Sequence, residues 1–278
     1  MYQRFDLGYG CGVTPALQTA IYAAAALAGV CFILSLLTSD VSWVDRLWSL
    51  APVGYVAWFA SRARFADTRL DLMLLVVAAW GLRLTYNFAR KGGYRRGGED
   101  YRWLILRQRL GPLKFQLFNA TFIAPFQNLL LLAFTLPAWA ALEHPAPLAP
   151  TDVAAATLFV AFLVGETIAD QQQWRFHQEK AQLRASQRDI AQPFLTSGLF
   201  RYSRHPNFFC EMAMWWSFYL FSVAGAGWLN ATIGGAIVLT LLFQGSTRMT
   251  ENVSLSKYPT YAEYQRTTSR LIPWLRSA

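Results

Sequence analysis

Apolar stretches long enough to cross a lipid bilayer recur along this chain. Seven segments, roughly 16–37, 46–61, 70–89, 116–142, 152–170, 207–224 and 228–247, carry few charges. They approach the ~20 residues that a helix needs to span about 30 Å of hydrocarbon. A backbone in lipid must satisfy its own hydrogen bonds, which leaves helices or a closed barrel. These runs are long and rich in Leu and Ala, without period-two alternation, so they predict helices. Composition agrees: apolar residues make up 54% of the chain and charged residues 15%, against about 25% charged in soluble domains. The expectation is an all-α integral membrane protein of about seven transmembrane helices in a single domain, with no soluble module or internal repeat. The second and sixth segments are short or carry polar residues. Pro125 and Pro137 predict a kink or break in the fourth. The opening Met-Tyr-Gln-Arg-Phe-Asp lacks the pattern of a cleavable signal peptide.

Charge predicts orientation. Segment 90–114 holds eight Lys and Arg against Glu99 and Asp100; 171–206 holds six against Glu179 and Asp189; 248–278 holds five against Glu251 and Glu263. The loop 143–151 has neither Lys nor Arg. The positive-inside rule then puts the three basic segments and the C-terminus in the cytoplasm and the N-terminus outside. Segment 61–71, with Arg62, Arg64 and Arg69 against Asp67 and Asp71, runs against that assignment. Cys11, Cys31 and Cys210 are too far apart for a zinc motif and give no disulfide framework.

The run Gly198-Leu-Phe-Arg-Tyr-Ser-Arg-His-Pro-Asn-Phe-Phe-Cys-Glu211 concentrates polar groups at a predicted membrane boundary, where they are expensive unless they bind something. Asn207 and Glu211 are four apart at the start of a predicted helix and share a face. An amide and a carboxylate together match a carboxamide, which both donates and accepts; a helix cap and an interhelical contact are the plain alternatives. Asp170 ends the fifth segment with Glu166 one turn before it, and an ion pair with Arg83 or Arg248 would also account for them. Residues 171–177 are expected to carry that helix beyond the membrane. Between 90 and 102, glycines alternate with Arg90, Lys91, Arg95, Arg96 and Arg102, a composition that suits phosphate and equally a loop that sets topology. No GxGxxG follows a strand, so a Rossmann domain is not expected.

Six segments in order, Asp45-Arg-Leu-Trp-Ser49, Trp80-Gly-Leu-Arg83, Gly98-Glu-Asp-Tyr-Arg102, Glu166-x-x-x-Asp170, Gly198 to Glu211, and Glu251 to Trp274, resemble the steroid 5-alpha-reductase-like membrane proteins, most closely their bacterial branch. The resemblance implies seven transmembrane helices, with a lipid-like substrate among the N-terminal helices (1–142) and NADPH in the C-terminal half (143–278). It also implies reduction of a carbon–carbon double bond conjugated to a ketone, in a multi-pass protein of a bacterial-type inner membrane. By the same resemblance Arg83, Arg95, Arg96, Glu166, Asp170, Tyr202, Arg204, His205, Asn207, Glu211, Glu251 and Asn252 are expected to line the cofactor site. Asp45 and Trp80 are expected to polarise the ketone, with Tyr86 in reserve. Val44 and Trp80 replace the family's Gln and Tyr, which leaves the proton donor open. The expected partners are a lipophilic small molecule and membrane lipids, with no nucleic acid and no metal.

A second reading stays open. Arg-His-Pro followed by Glu, and the acidic Glu251-Asn252, also resemble membrane methyltransferases that use S-adenosylmethionine and modify isoprenylcysteine or phospholipid. A non-enzymatic lipid-binding or transport protein is the third possibility; transporter sites lie near the bilayer midplane, whereas these motifs gather on one side.

Overall fold

The structure, a computed structural model, describes residues 13–188 and 193–274. The N-terminal hexapeptide, Cys11 and Asp189 lie outside the described residues. Among those described the chain is helical, with no strand. Helix α1 (Pro15–Thr38) starts with Pro at its first position, where a missing N–H costs nothing, and Thr14 Oγ1 accepts from the Leu17 N–H. Ala16, Ala20, Ala24, Ala28, Cys31 and Ser35 form its buried face, a stripe of small residues that lets neighbouring backbones approach. A five-residue helix α2 (Trp43–Leu47) and a twelve-residue helix α3 (Ala51–Arg62) follow. Helix α4 (Thr68–Arg90) is capped by Asp67, which accepts from the Leu70 N–H.

The long apolar segment that follows is broken where its prolines require. Helix α5 (Tyr101–Phe118) kinks at Gly111-Pro112, where Gly111 has φ 73°. A π-helical turn over Asn119–Ile123 leads into α6 (Ala124–Ala133), with Pro125 in its first turn. The chain turns at Phe134–Thr135 and restarts as α7 (Leu136–Glu143), because Pro137 can neither donate to the ladder nor sit beside the carbonyl of residue 133. Helix α8 (Pro150–Ala185) has 36 residues, about 54 Å of length, so it extends well past any bilayer, as the continuation through 171–177 predicts. Helix α9 (Pro206–Ala226), α10 (Ile233–Lys257) and the short α11 (Tyr261–Thr267) complete the chain. α8 packs most extensively on α9, α1 on α6, and α3 on α4.

Four helical segments are long and apolar enough to cross a membrane: Pro15–Thr38, Thr68–Arg90, Tyr101–Glu143 and Pro150–Ala185. The other three expected segments also fold as helices. α3 is only twelve residues long, about 18 Å, and α9 and α10 carry more polar residues. The core is aromatic: Phe59, Trp80, Phe134, Phe159, Trp215, Phe218 and Phe221 are fully buried. Gly235 brings α10 against the Ala133 carbonyl, which any Cβ there would overlap.

Arg69 is one of the three arginines of the segment that runs against the charge rule. Its side chain is 2% exposed and pairs bidentately with Asp152, Nε to Oδ1 at 2.7 Å and Nη2 to Oδ2 at 2.9 Å. Ala146 and Pro147 carbonyls accept its remaining N–H groups, and Asp152 also accepts from Ala149 N–H. The Arg69 charge is neutralised inside the protein, while Arg62 and Arg64 still run against the charge assignment. Asp152→Ala would leave this guanidinium buried and unpaired, and is expected to lower stability by about 3–5 kcal/mol in a thermal or denaturant melt of the detergent-solubilised protein. Arg69→Leu combined with Asp152→Leu should recover much of that loss.

Candidate functional site

Three helices bring their polar faces together at the end of the bundle opposite Arg69. From α4 come Trp80, Arg83 and Asn87, spaced by three and four residues and so on one face. α8 supplies Glu166 and Asp170, and α9 supplies Asn207, Glu211 and Trp215. Arg83 Nη2 donates to Asp170 Oδ2 in a close contact, and Arg83 Nη1 lies 2.8 Å from Glu166 Oε1. Asn87 Nδ2 donates to the same Asp170 oxygen at 2.6 Å, while Lys91 Nζ and Asn207 Nδ2 each reach Asp170 Oδ1 at 3.5 Å. Glu211 accepts from two indoles, Trp80 Nε1 at 2.9 Å and Trp215 Nε1 at 3.0 Å. Those two rings meet edge to face at 4.9 Å. Glu166, Asp170 and Glu211 are each buried. Arg90, stacked over Tyr86 and Trp174, donates to Gln171 Oε1 and Asn87 Oδ1 and closes the rim.

The cluster is rich in carboxylates and incompletely paired. Arg83 Nη1 is buried with no aligned acceptor, and Glu166 Oε2 is buried with no donor, its carboxyl lying against that of Glu211. Charges held out of water need a compensating partner, so an arrangement with open valences fits a polar ligand. Among the described residues no group of His, Cys, Asp and Glu is placed to hold a metal ion. The sequence-based reading of the site named Arg83, Glu166, Asp170, Asn207 and Glu211, which the fold brings together. It missed Asn87, whose signal was its position one turn after Arg83.

Other expected site residues have different work. Trp80 cannot polarise a ketone with its N–H, because an indole has one donor and Glu211 accepts it. Tyr86 is 66% exposed, on the outside of α4. Arg204 is not free for phosphate. Its Nε and Nη2 chelate Glu251 at 2.6 and 3.1 Å, and Nη1 donates to the Gln265 carbonyl at 2.8 Å and closely to that of Thr268. His205 Nε2 lies 3.1 Å from Glu251 Oε1, and Gln265 Nε2 donates to Glu251 Oε2 at 3.0 Å. Backbone bonds from Arg204 N to Ser269 O and from His205 N to Arg270 O continue the join. The run from Gly198 to His205 is therefore the seat of the C-terminal tail, and the Tyr202 ring packs tilted against Trp274 at 5.2 Å. Asn252 is exposed, as are Arg95 and Arg96 on the loop after α4.

Asp45 belongs to a separate cluster at the same end. Trp103 Nε1 donates to Asp45 Oδ2 at 3.0 Å, and the Ser49 and Thr85 hydroxyls, 2.7 Å apart, join the start of α3 to α4 two residues beyond Arg83. Burial pushes the Asp45 carboxyl above the ordinary carboxylate range, and the charge of Asp100 adds to the rise against hydrogen bonds from Ser42 and Trp103.

Residues 31–268 match a family described as a protein of unknown function, DUF1295, and the chain belongs to that family, which lies within the steroid 5-alpha-reductase-like superfamily. An uncharacterised protein of the fission yeast Schizosaccharomyces pombe is 37% identical over 265 residues, covering 90% of this chain and 77% of its own length. No solved structure matches the chain.

The tail join has a pH signature. Burial alone would raise the Glu251 carboxyl, but hydrogen bonds from His205 and Arg204 and the Arg204 charge hold it down to about 2. A carboxylate lowered from an unfolded value of about 4.3 contributes stability that is complete above that value and is lost as pH falls through the folded one. Melting temperature should therefore drop between pH of about 5 and 2. Glu251→Gln is expected to melt lower at pH 7 and to flatten that acid limb.

Proposed function

We propose that this DUF1295 member is a membrane NADPH-dependent oxidoreductase that reduces a carbon–carbon double bond conjugated to a ketone in a lipid. The observation that carries this reading is the meeting of Arg83, Asp170, Asn207 and Glu211, from three helices, in one buried and incompletely satisfied cluster. These groups fit a dinucleotide. Asn207 and Glu211 can donate to and accept from a carboxamide, and Asp170 can accept from ribose hydroxyls. The exposed Arg95 and Arg96 suit a 2′-phosphate. Bound there, NADPH would supply hydride to the alkene carbon, with a proton completing the reduction at its neighbour.

The chain's own residues would hold and polarise. Trp80 and Trp215 fix the Glu211 carboxylate by donating to both of its oxygens, so they act as positioning residues. Asp45, whose carboxyl burial pushes above the ordinary range, is in its protonated form the proposed donor to the ketone oxygen, where negative charge develops. The feature that favoured S-adenosylmethionine, Glu251-Asn252, has an internal account: Glu251 secures Arg204 and His205, and Asn252 is exposed.

In the membrane the proposal is seven spans, N-terminus outside. α1, the 46–61 segment, α4, the α5–α7 segment, α8, α9 and α10 alternate in direction. The charge cluster, the basic loop after α4 and the tail then share the cytoplasmic side, while Arg69 and Asp152 share the outer side. Residues 1–142 form the substrate half, completed by Arg83 reaching into the cofactor half of 143–278.

The test is deuteride transfer. Purified protein in detergent is incubated with NADPH deuterated at C4 and a panel of enone lipids, and products are weighed. One deuterium in the reduced product is expected. Asp170→Asn and Glu211→Gln should abolish it, and Asp45→Asn should slow turnover by about 10²–10³. Absence of transfer to every enone, with methyl transfer from S-adenosylmethionine instead, would favour the methyltransferase.

A further inference from the structure

Three buried carboxyl groups meet between α4, α8 and α9, and the fold provides for them unequally. Asp170 accepts from Arg83, Asn87, Lys91 and Asn207. Glu211 accepts one indole N–H on each oxygen, from Trp80 at 2.9 Å and Trp215 at 3.0 Å. Glu166 Oε1 lies 2.8 Å from Arg83 Nη1, while its Oε2 is buried and has no donor. The Glu166 and Glu211 carboxyls lie against one another, and both residues are 5% exposed.

Two ionised carboxylates in contact out of water repel, and neither has a hydrogen to offer the other. Among the described residues Arg83 is the one cation in ion-pair contact with either of them, and it is shared with Asp170. Lys91 and Arg90 stand at the rim against Asp170. The other titratable groups that face the pair are Asp170 on α8 and Cys210 on α9, and neither supplies positive charge. One proton answers all of this. On Glu166 Oε2 it turns an orphaned acceptor into a donor for Glu211, whose oxygens each keep a lone pair beyond the indole bond. It also leaves the pair with a single negative charge, which Arg83 can match. The two indole bonds favour the charged form of Glu211, so the proton belongs on Glu166.

We infer that in the resting protein Glu166 and Glu211 hold one proton between them, and that the site exchanges this proton for the positive charge of a bound ligand. A neutral ring placed beside the pair leaves the proton where it is. A cationic group, such as an oxidised nicotinamide, takes over its electrostatic role and expels it. The oxidised form of a cofactor then binds more tightly as pH rises, and the reduced form does not. The choice of nicotinamide rests on the proposed function; the shared proton does not.

Infrared spectroscopy of the full chain in detergent tests the proton without any ligand. The background is Asp45→Asn, which removes a carboxyl that burial also favours in its protonated form. At neutral pH this protein should show a protonated-carboxyl C=O band that shifts in D2O. Adding Glu166→Gln or Glu211→Gln should abolish the band. Melting separates the two charge states of Glu166. An amide at 166 keeps both bonds of the protonated acid, accepting from Arg83 and donating to Glu211, so Glu166→Gln should melt no lower than the parent. If Glu166 is ionised, the same change breaks a buried ion pair and lowers the melting temperature. Proton release is then counted with a pH indicator in weakly buffered detergent. NADP⁺ should release about one proton per molecule bound and NADPH none, and Glu166→Gln should bind both without release. Absence of the band from the Asp45→Asn protein, its survival in Glu166→Gln, or the same proton count for NADP⁺ and NADPH would overturn the inference. Binding of neither nucleotide would overturn the reductase reading alone, and the infrared band would still decide the shared proton.

Discussion

The Arg83 guanidinium, held among Glu166, Asp170 and Glu211, is the interaction on which the arrangement of this half of the bundle depends. One buried cation facing three buried carboxylates cannot be satisfied by ion pairing alone. Asn87, Asn207, Lys91 and two indoles supply the remaining donors. The donors stand on α4, on the residue that follows it and on α9, and the carboxylates on α8 and α9, so the polar network ties the relative rotation of all three helices.

A second constraint works from the other end. Arg69 and Asp152 join the starts of α4 and α8, and Arg83 and Asp170 join the same two helices 14 and 18 residues later, about 21 and 27 Å along them. Two Arg–Asp pairs therefore clamp these parallel helices at two levels. Between the clamps the contacts are aromatic. Trp80 packs on Trp215, Trp215 on Phe134 at 4.0 Å, and Phe134 on Trp48 at 6.4 Å. That row of rings connects the Glu211 indoles with the start of α3, so the polar cluster and the N-terminal helices share one packed core.

The helical architecture was legible because lipid-length apolar runs leave few alternatives, and the breaks near residues 125 and 137 follow from proline; the helix over 101–118, kinked at Gly111-Pro112, begins in a segment that reads as a basic loop. The common face of Asn207 and Glu211 was legible from spacing four. What was not legible is which polar residues meet across the chain. Arg204 looks like a phosphate ligand in its local motif, but its partners are 47 to 64 residues away. Trp80 looks like a substrate donor until Glu211, 131 residues on, takes its one N–H. Arg69 looks like a topological misfit because its neutralising Asp152 is 83 residues distant.

The central claim is that the cluster of Arg83, Asp170, Asn207 and Glu211 holds a dinucleotide, and direct binding tests it most simply. Melting temperature of the purified protein in detergent would be followed against NADPH, NADH and S-adenosylmethionine, since a ligand that binds only the folded state raises it by mass action. The account predicts a saturable rise with NADPH that Asn207→Ala removes. A rise with S-adenosylmethionine alone, or an NADPH response that Asn207→Ala leaves intact, would contradict it.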